Sequence, residues 1–177
     1  MTRLDKGLIQ IYTGNSKGKT TAALGLTLRA VGHGFHVYIL QFMKGLQNYG
    51  ELTGLKRLEP ECRIEGFGGK GWVHKGQAQA EDLLEAQKGL ARAQEIIASG
   101  EWDIVILDEI INAVWFELLT EDEVLKLIDQ KPEHVELVLT GRNASQCLID
   151  KAHLVTEMVQ IKHPFEQGIQ ARQGIEY

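Results

Sequence analysis

The chain has 177 residues, 44% of them hydrophobic and 24% charged, with a formal net charge of −5. That length suits one domain with a sizeable core, and the negative balance excludes nonspecific binding to a nucleic-acid backbone. No apolar run approaches the ~20 residues that a bilayer-spanning helix needs, so no membrane partner is expected.

The N-terminus, Met1 to Gly7, does not read as a secretory leader. Cys62 and Cys147 stand far apart, with no Cys or His at ligand spacing, as reduced packing residues do. The expected compartment is the cytoplasm.

Leu8 to Tyr12 reads as a buried strand, and T-G-N-S-K-G-K-T-T follows from Thr13 to Thr21. A small-residue helix then runs to Val31 and closes at Gly32 and Gly34. Strand, Gly-rich turn and helix in that order are the setting of a phosphate loop, whose backbone N–H groups and helix dipole cradle an anion. Lys19 supplies a cation and Thr20 a hydroxyl for a phosphate-bound metal ion. Lys19 is expected to be exposed in the open loop. The usual first glycine falls at Thr13, with Gly14 one place later, so the loop is a variant.

His36 to Leu40 reads as a second strand, with Gln41-Phe42-Met43-Lys44-Gly45 at its C-terminal end, where ligands of open α/β sheets gather. A loop with a short helix over 51–58 and a weak strand over 62–65 come next. From Gly66 to Gly76 there are five glycines in eleven residues around Phe67 and Trp72. That pattern fits either a mobile lid holding an aromatic residue or a long connection whose Trp72 plugs the core.

Gln77 to Ser99 has helical spacing, with Ala80, Leu83, Leu84, Gln87, Leu90, Ala91, Gln94, Ile97 and Ala98 on one face. Ile104 to Leu107 is a buried strand running into Asp108-Glu109, the carboxylate pair that partners a phosphate loop around Mg²⁺. Ile110 to Leu119 suits core or a dimer surface. Thr120 to Glu123 is a capping box opening a helix to Asp129. Val135 to Leu139 is a strand ending at Thr140-Gly141-Arg142-Asn143, where Arg142 either reaches a phosphate or is a surface arginine. A short helix over 145–152 and a last strand over 154–161 precede a tail without strong period.

Strands alternating with helices at these lengths predict one α/β domain over residues 1–177, of the P-loop, RecA-like three-layer type with a mostly parallel sheet. The polar motifs all fall at C-terminal strand ends and define one nucleotide site. That site suits a nucleotide hydrolase, a kinase or a nucleotide-gated interaction module.

The series T-G-N-S-K-G-K-T-T-A-A-L-G (13–25), R-A-V-G-H-G (29–34), Q-F-M-K-G (41–45), I-V-I-L-D-E (104–109), T-G-R-N-A (140–144) and I-K-H-P-F-E-Q-G-I-Q-A-R-Q-G-I-E-Y (161–177) resembles the P-loop ATP:corrinoid adenosyltransferases. The resemblance implies transfer of the 5′-deoxyadenosyl group of ATP to the Co(I) of a reduced corrinoid, with release of tripolyphosphate. It also implies Mg²⁺ or Mn²⁺, a flavoprotein reductant and a homodimer. Carried over by motif, Gly14, Asn15, Ser16, Lys17, Gly18, Lys19, Thr20 and Thr21 bind the phosphates. Thr20 and Glu109, with Asp108 second, hold the metal, and Lys19, Thr20 and Glu109 carry the catalysis. Arg29, Arg142 and His163 match further nucleotide contacts, and Trp72 an aromatic beside the corrin ring. Ser16 replaces a common glycine, and Lys70 stands where a second aromatic is usual. The better-known members have a longer segment ahead of the loop that helps to cover the corrinoid.

Overall fold

The computed structural model describes residues 4–45, 49–69, 71 and 73–176. Six strands form one sheet in the order β3-β2-β4-β5-β1-β6, and every neighbouring pair is parallel. They are β1 (Ile9–Thr13), β2 (Val37–Phe42), β3 (Cys62–Phe67), β4 (Ile104–Asp108), β5 (Glu136–Thr140) and β6 (Leu154–Glu157). The helices are α1 (Lys19–Gly32), α2 (Gly50–Leu55), α3 (Ala80–Ser99), α4 (Ile110–Trp115), α5 (Glu121–Asp129) and α6 (Gln146–Lys151). Strands buried on both faces read as continuous apolar runs, as β2, β4 and β5 do.

Two apolar clusters sandwich the sheet. On one side Ala23 and Ala30 of α1 and Leu55 of α2 meet Val37, Ile39, Ile104, Ile106 and Val138. On the other, α3, α4, α5 and Leu148 of α6 cover Tyr38, Leu40, Phe42, Val105, Leu107, Leu137 and Leu139. Small residues on α1 let it lie close to the sheet, which brings its N-terminus to the C-terminal strand edge. The three-layer arrangement therefore follows the expected class.

Several boundaries differ from the expected ones for local reasons. The last strand stops at Glu157 rather than running to residue 161. It pairs only with β1, which ends at Thr13, and the next residue, Met158, turns its backbone to the loop instead: its N–H donates to Thr13 O at 2.9 Å and its carbonyl accepts from Ser16 N at 3.0 Å. The long helix begins at Ala80, because the Asp82 carboxylate accepts the Gln79 N–H at 2.9 Å and caps the helix there.

The buried face of α3 is also rotated from the expected stripe. It consists of Ala86, Gly89, Leu90, Ala93, Ile96 and Ile97, while Leu83 and Leu84 are exposed. Leu90 and Ile97 of the expected stripe are buried, but its other members turn outward; Ala86, Gly89, Ala93 and Ile96 complete the buried face, with Gly89 lying directly against Phe42 and Phe67. The capping box at Thr120 is present as expected: Thr120 N–H donates to Glu123 at 2.7 Å and Glu123 N–H returns to Thr120 Oγ1 at 3.3 Å. Ile110, Ile111 and Ala113 of α4 are core, whereas Trp115 is 43% exposed.

Candidate active site

Strand parity builds the site. Ile39, Ile106 and Val138 face α1, so the residues two places on, Gln41, Asp108 and Thr140, face it as well. The register sets them side by side: Gln41 pairs with Asp108, and Leu107 pairs with Leu139, so that Asp108 and Thr140 follow together. All three are buried at the C-terminal edge of the sheet.

Asp108 is the hub. Thr140 Oγ1 and Thr20 Oγ1 donate to its Oδ1 at 2.7 and 2.8 Å, while Gln41 Nε2 and Lys44 Nζ donate to Oδ2 at 3.1 and 2.8 Å. These four donors fix the position of a 2% exposed carboxylate. Glu109 leaves the strand in the left-handed region at φ 64°, donates its N–H to Thr140 Oγ1 at 2.9 Å, and accepts from Asn112 Nδ2. Burial, then the neighbouring Asp108 charge, pushes the Glu109 carboxyl above the usual range, against the pull of Lys44, Lys19 and Arg142.

The phosphate loop joins β1 to α1 across this hub. Gly14 takes φ 101°, and a Cβ there would stand 2.4 Å from Met158 O, so the turn demands glycine at this position. Lys19 differs from the expectation of an exposed side chain: it is 6% exposed, and its ammonium donates to Gly14 O at 2.8 Å and Ser16 O at 2.7 Å. Those carbonyls turn inward and need a donor, and the lysine supplies it. Burial lowers its pKa, Glu109 and Asp108 raise it, and Arg142 lowers it further; the net direction is down.

A hard divalent cation fits this donor set. The Thr20 hydroxyl and the Glu109 carboxylate offer oxygen ligands, with Asp108 already engaged by protein donors behind them. Among the described residues no group of three or more His, Cys, Asp or Glu is placed to hold a metal. Mg²⁺ is characteristically held by one or two protein oxygens, with phosphate and water completing its shell.

The family model described as "ATP:corrinoid adenosyltransferase BtuR/CobO/CobP" matches residues 5–177. The chain belongs to that family. It is 39% identical to a corrinoid adenosyltransferase of Sinorhizobium sp over 175 residues, covering 98% of this chain and 81% of the relative. It is 34% identical to the corrinoid adenosyltransferase CobA of Salmonella typhimurium, covering 98% and 87%. In fold it is similar to a KaiC-like protein of Pyrococcus horikoshii, with TM-score 0.62 and 17% identity, covering 89% of this chain and 75% of that one. The chain is thus a transferase of the corrinoid adenosyltransferase type, with ATP and a corrinoid as its substrates.

The adenosyltransferase fold gathers Gly14 to Thr21, Asp108 and Glu109 in one place. Arg142 stands next to them: its backbone N–H donates to Asn112 Oδ1 at 2.6 Å, and its exposed side chain is free to turn toward the loop. Lys17 points to the tail, donating to Ile175 O at 2.7 Å and Glu176 Oε1 at 3.0 Å. Arg29 lies in the last turn of α1, about 15 Å along the axis from Lys19 at a rise of about 1.5 Å per residue. His163 caps the short 3-10 turn Pro164–Gln167, its Nδ1 accepting from Phe165 N at 3.2 Å. Trp72 and Lys70 lie outside the described residues.

Four residues around Asp108 and Glu109 carry no individual role in the sequence reading: Gln41 and Lys44, noted only as part of the 41–45 strand end, Asn112 and Thr140. For Gln41 and Thr140 the signal was present as parity, since each stands two places after an apolar residue of the same face. Lys44 and Asn112 act from a loop and a helix turn whose direction only the folded chain defines.

Proposed function

We propose that this chain joins the 5′-deoxyadenosyl group of ATP to the cobalt of a reduced corrinoid and releases tripolyphosphate. It would act as a single ATP-binding domain over residues 1–177, in the cytoplasm. The observation that carries the reading is the Thr20–Asp108–Glu109 hub beneath a phosphate loop, within a chain that its family model covers from residue 5 to residue 177.

The electron pair of Co(I) attacks the ribose C5′, the C5′–O bond breaks, and the triphosphate departs with its bonding pair. The substrate brings the nucleophile, so no protein base is required. What the protein supplies is positive charge preorganised where the leaving group gains negative charge. Lys19 emerges from its loop carbonyls toward the phosphates, and backbone N–H groups at the α1 N-terminus line the same anion. Arg142 would extend this cationic wall on turning inward, and Lys17 on leaving the tail; Arg29 and His163 are assigned to the nucleotide by motif. Mg²⁺, held by Thr20 and Glu109 with Asp108 behind, would neutralise charge on the triphosphate when bound. Trp72 would flank the corrin ring, a flavoprotein would deliver the reducing electron, and two copies would form the working dimer.

Product analysis tests this. With ATP, Mg²⁺, a strong chemical reductant and a corrinoid, the expected yield is one tripolyphosphate for each light-sensitive Co–C bond, with little ADP. Steady ADP release without corrinoid would replace this reading with a hydrolase. Nucleotide-dependent partner binding without turnover would replace it with an interaction module.

A further inference from the structure

A cavity of about 320 Å³ opens to solvent beside the ATP site, between α4, the residues after β5 and the end of the glycine-rich connection that precedes α3. Val114, Leu148 and the face of Trp115 give it an apolar floor; Lys75, Glu117 and Asn143 stand at its rim. One wall is shared with the catalytic carboxylate. Asn112 donates to Glu109 and accepts from Arg142 N at 2.6 Å, and Asn143 follows directly. That wall is rigid: Gly141, at φ 146°, approaches α4 so closely that a Cβ would lie 2.7 Å from both Asn112 N and Ile111 Cβ.

The rim charges are distinctive. The Lys75 ammonium sits 3.7 Å above the Trp115 ring centre, which anchors the end of the glycine-rich connection to α4. Among the described residues neither Lys75 nor Glu117 is in an ion pair. A cation, an anion and an asparagine amide around an apolar floor complement a primary carboxamide on a short hydrocarbon arm. Its carbonyl oxygen accepts from Lys75, and its NH₂ donates to Glu117. A free carboxylate on the same arm would still meet Lys75, but it has no N–H for Glu117 and is repelled by it, whereas the amide satisfies both groups. The volume suits an arm rather than a whole macrocycle, and a corrinoid carries such arms around its ring.

We infer that this cavity seats a carboxamide-bearing edge of the corrinoid, with Trp115 packing on the arm and Lys75 and Glu117 selecting amide over carboxylate. The inference rests on the adenosyl-transfer reading above and adds the residues that choose among corrinoids.

The test compares cobinamide, whose peripheral arms are amidated, with cobyrinic acid a,c-diamide, which keeps free carboxylates. Wild type, Lys75→Gln and Glu117→Gln are assayed at saturating ATP, with thermal melting confirming that each variant folds. Lys75→Gln is expected to raise the corrinoid KM about 5-fold while the ATP KM stays unchanged. Glu117→Gln is expected to shift the kcat/KM ratio toward the carboxylate-bearing corrinoid by about 5-fold. If both variants match wild type on both corrinoids, the inference falls alone. If wild type adenosylates neither corrinoid, the adenosyl-transfer reading falls and takes the inference with it.

Discussion

The Lys44 ammonium lies 2.8 Å from Asp108 Oδ2, so the carboxylate that ends β4 is neutralised by a residue just past the end of β2. Burial alone would lower the Lys44 pKa, but the charge of Asp108, its hydrogen bond and the nearby Glu109 and Glu51 outweigh it, and the net shift is upward. Replacing Lys44 with Met leaves two crowded carboxylates without their cation. We expect a loss of roughly 3 kcal/mol of stability, as for other buried pairs broken on one side. Because the folded pKa is raised, the pair's contribution is full below the ordinary lysine value of 10.5 and fades as the pH rises through the higher folded value. Urea unfolding of wild type and Lys44→Met at pH 7 and pH 11 checks both points; equal stability at pH 7 would refute them.

Glu109 has linkage of the same sign, but here the ionised form is the one that burial penalises. Its carboxyl is pushed upward by burial and by Asp108, so ionising it costs stability. That penalty is absent below the ordinary value of 4.5 and grows as the pH rises through the folded value. Glu109→Gln is therefore expected to be more stable than wild type at pH 7 and equal to it near pH 4, while turnover drops by about 10²-fold or more. Unfolding curves across that pH range, beside one activity measurement, decide it. A variant less stable at neutral pH would contradict the account.

Lys19 has a structural part in the loop, and the proposed mechanism adds a catalytic one. Lys19→Met strands the inward carbonyls of Gly14 and Ser16, which should cost about 1–2 kcal/mol. Turnover at saturating ATP should fall by about 10²–10³-fold, the scale of losing one anion-stabilising donor. Near-normal turnover would remove the phosphate loop from the mechanism.

The tail holds one cation of the loop, Lys17. Glu176 holds Lys17, and its own carboxyl is pulled down to about 2, first by the Arg172 guanidinium, then by the Arg172 N–H and Lys17. Glu176→Gln frees Lys17 for the triphosphate, and ATP should bind about 2–3-fold more tightly, an effect that shrinks with added salt. ATP titrations at low and high ionic strength read this directly. Weaker ATP binding in the variant would show that the tail supports the loop instead of competing with it.

Much was legible in the chain itself. The order of apolar runs and helical periods was enough for a parallel sheet between helices, because strands buried on both faces must read as unbroken Val, Ile and Leu. The G-K-T-T run and the Asp108-Glu109 pair pointed to two segments that the fold brings together, with Thr20 donating to Asp108 at 2.8 Å. Tertiary structure decided the rest. The sheet register placed Gln41 and Thr140 on either side of Asp108. The end of β1 stopped β6 at Glu157. Close packing of Gly89 against Phe42 and Phe67 set the face that α3 buries and left Leu83 and Leu84 outside. The loop's own carbonyls drew Lys19 inward, and the fold carried Glu176 back to Lys17 and Trp115 beneath Lys75. Apart from Lys19, whose partners Gly14 and Ser16 lie within its own loop, each of these pairs residues far apart in sequence, and local propensity carries no term for a partner that only the folded chain brings near.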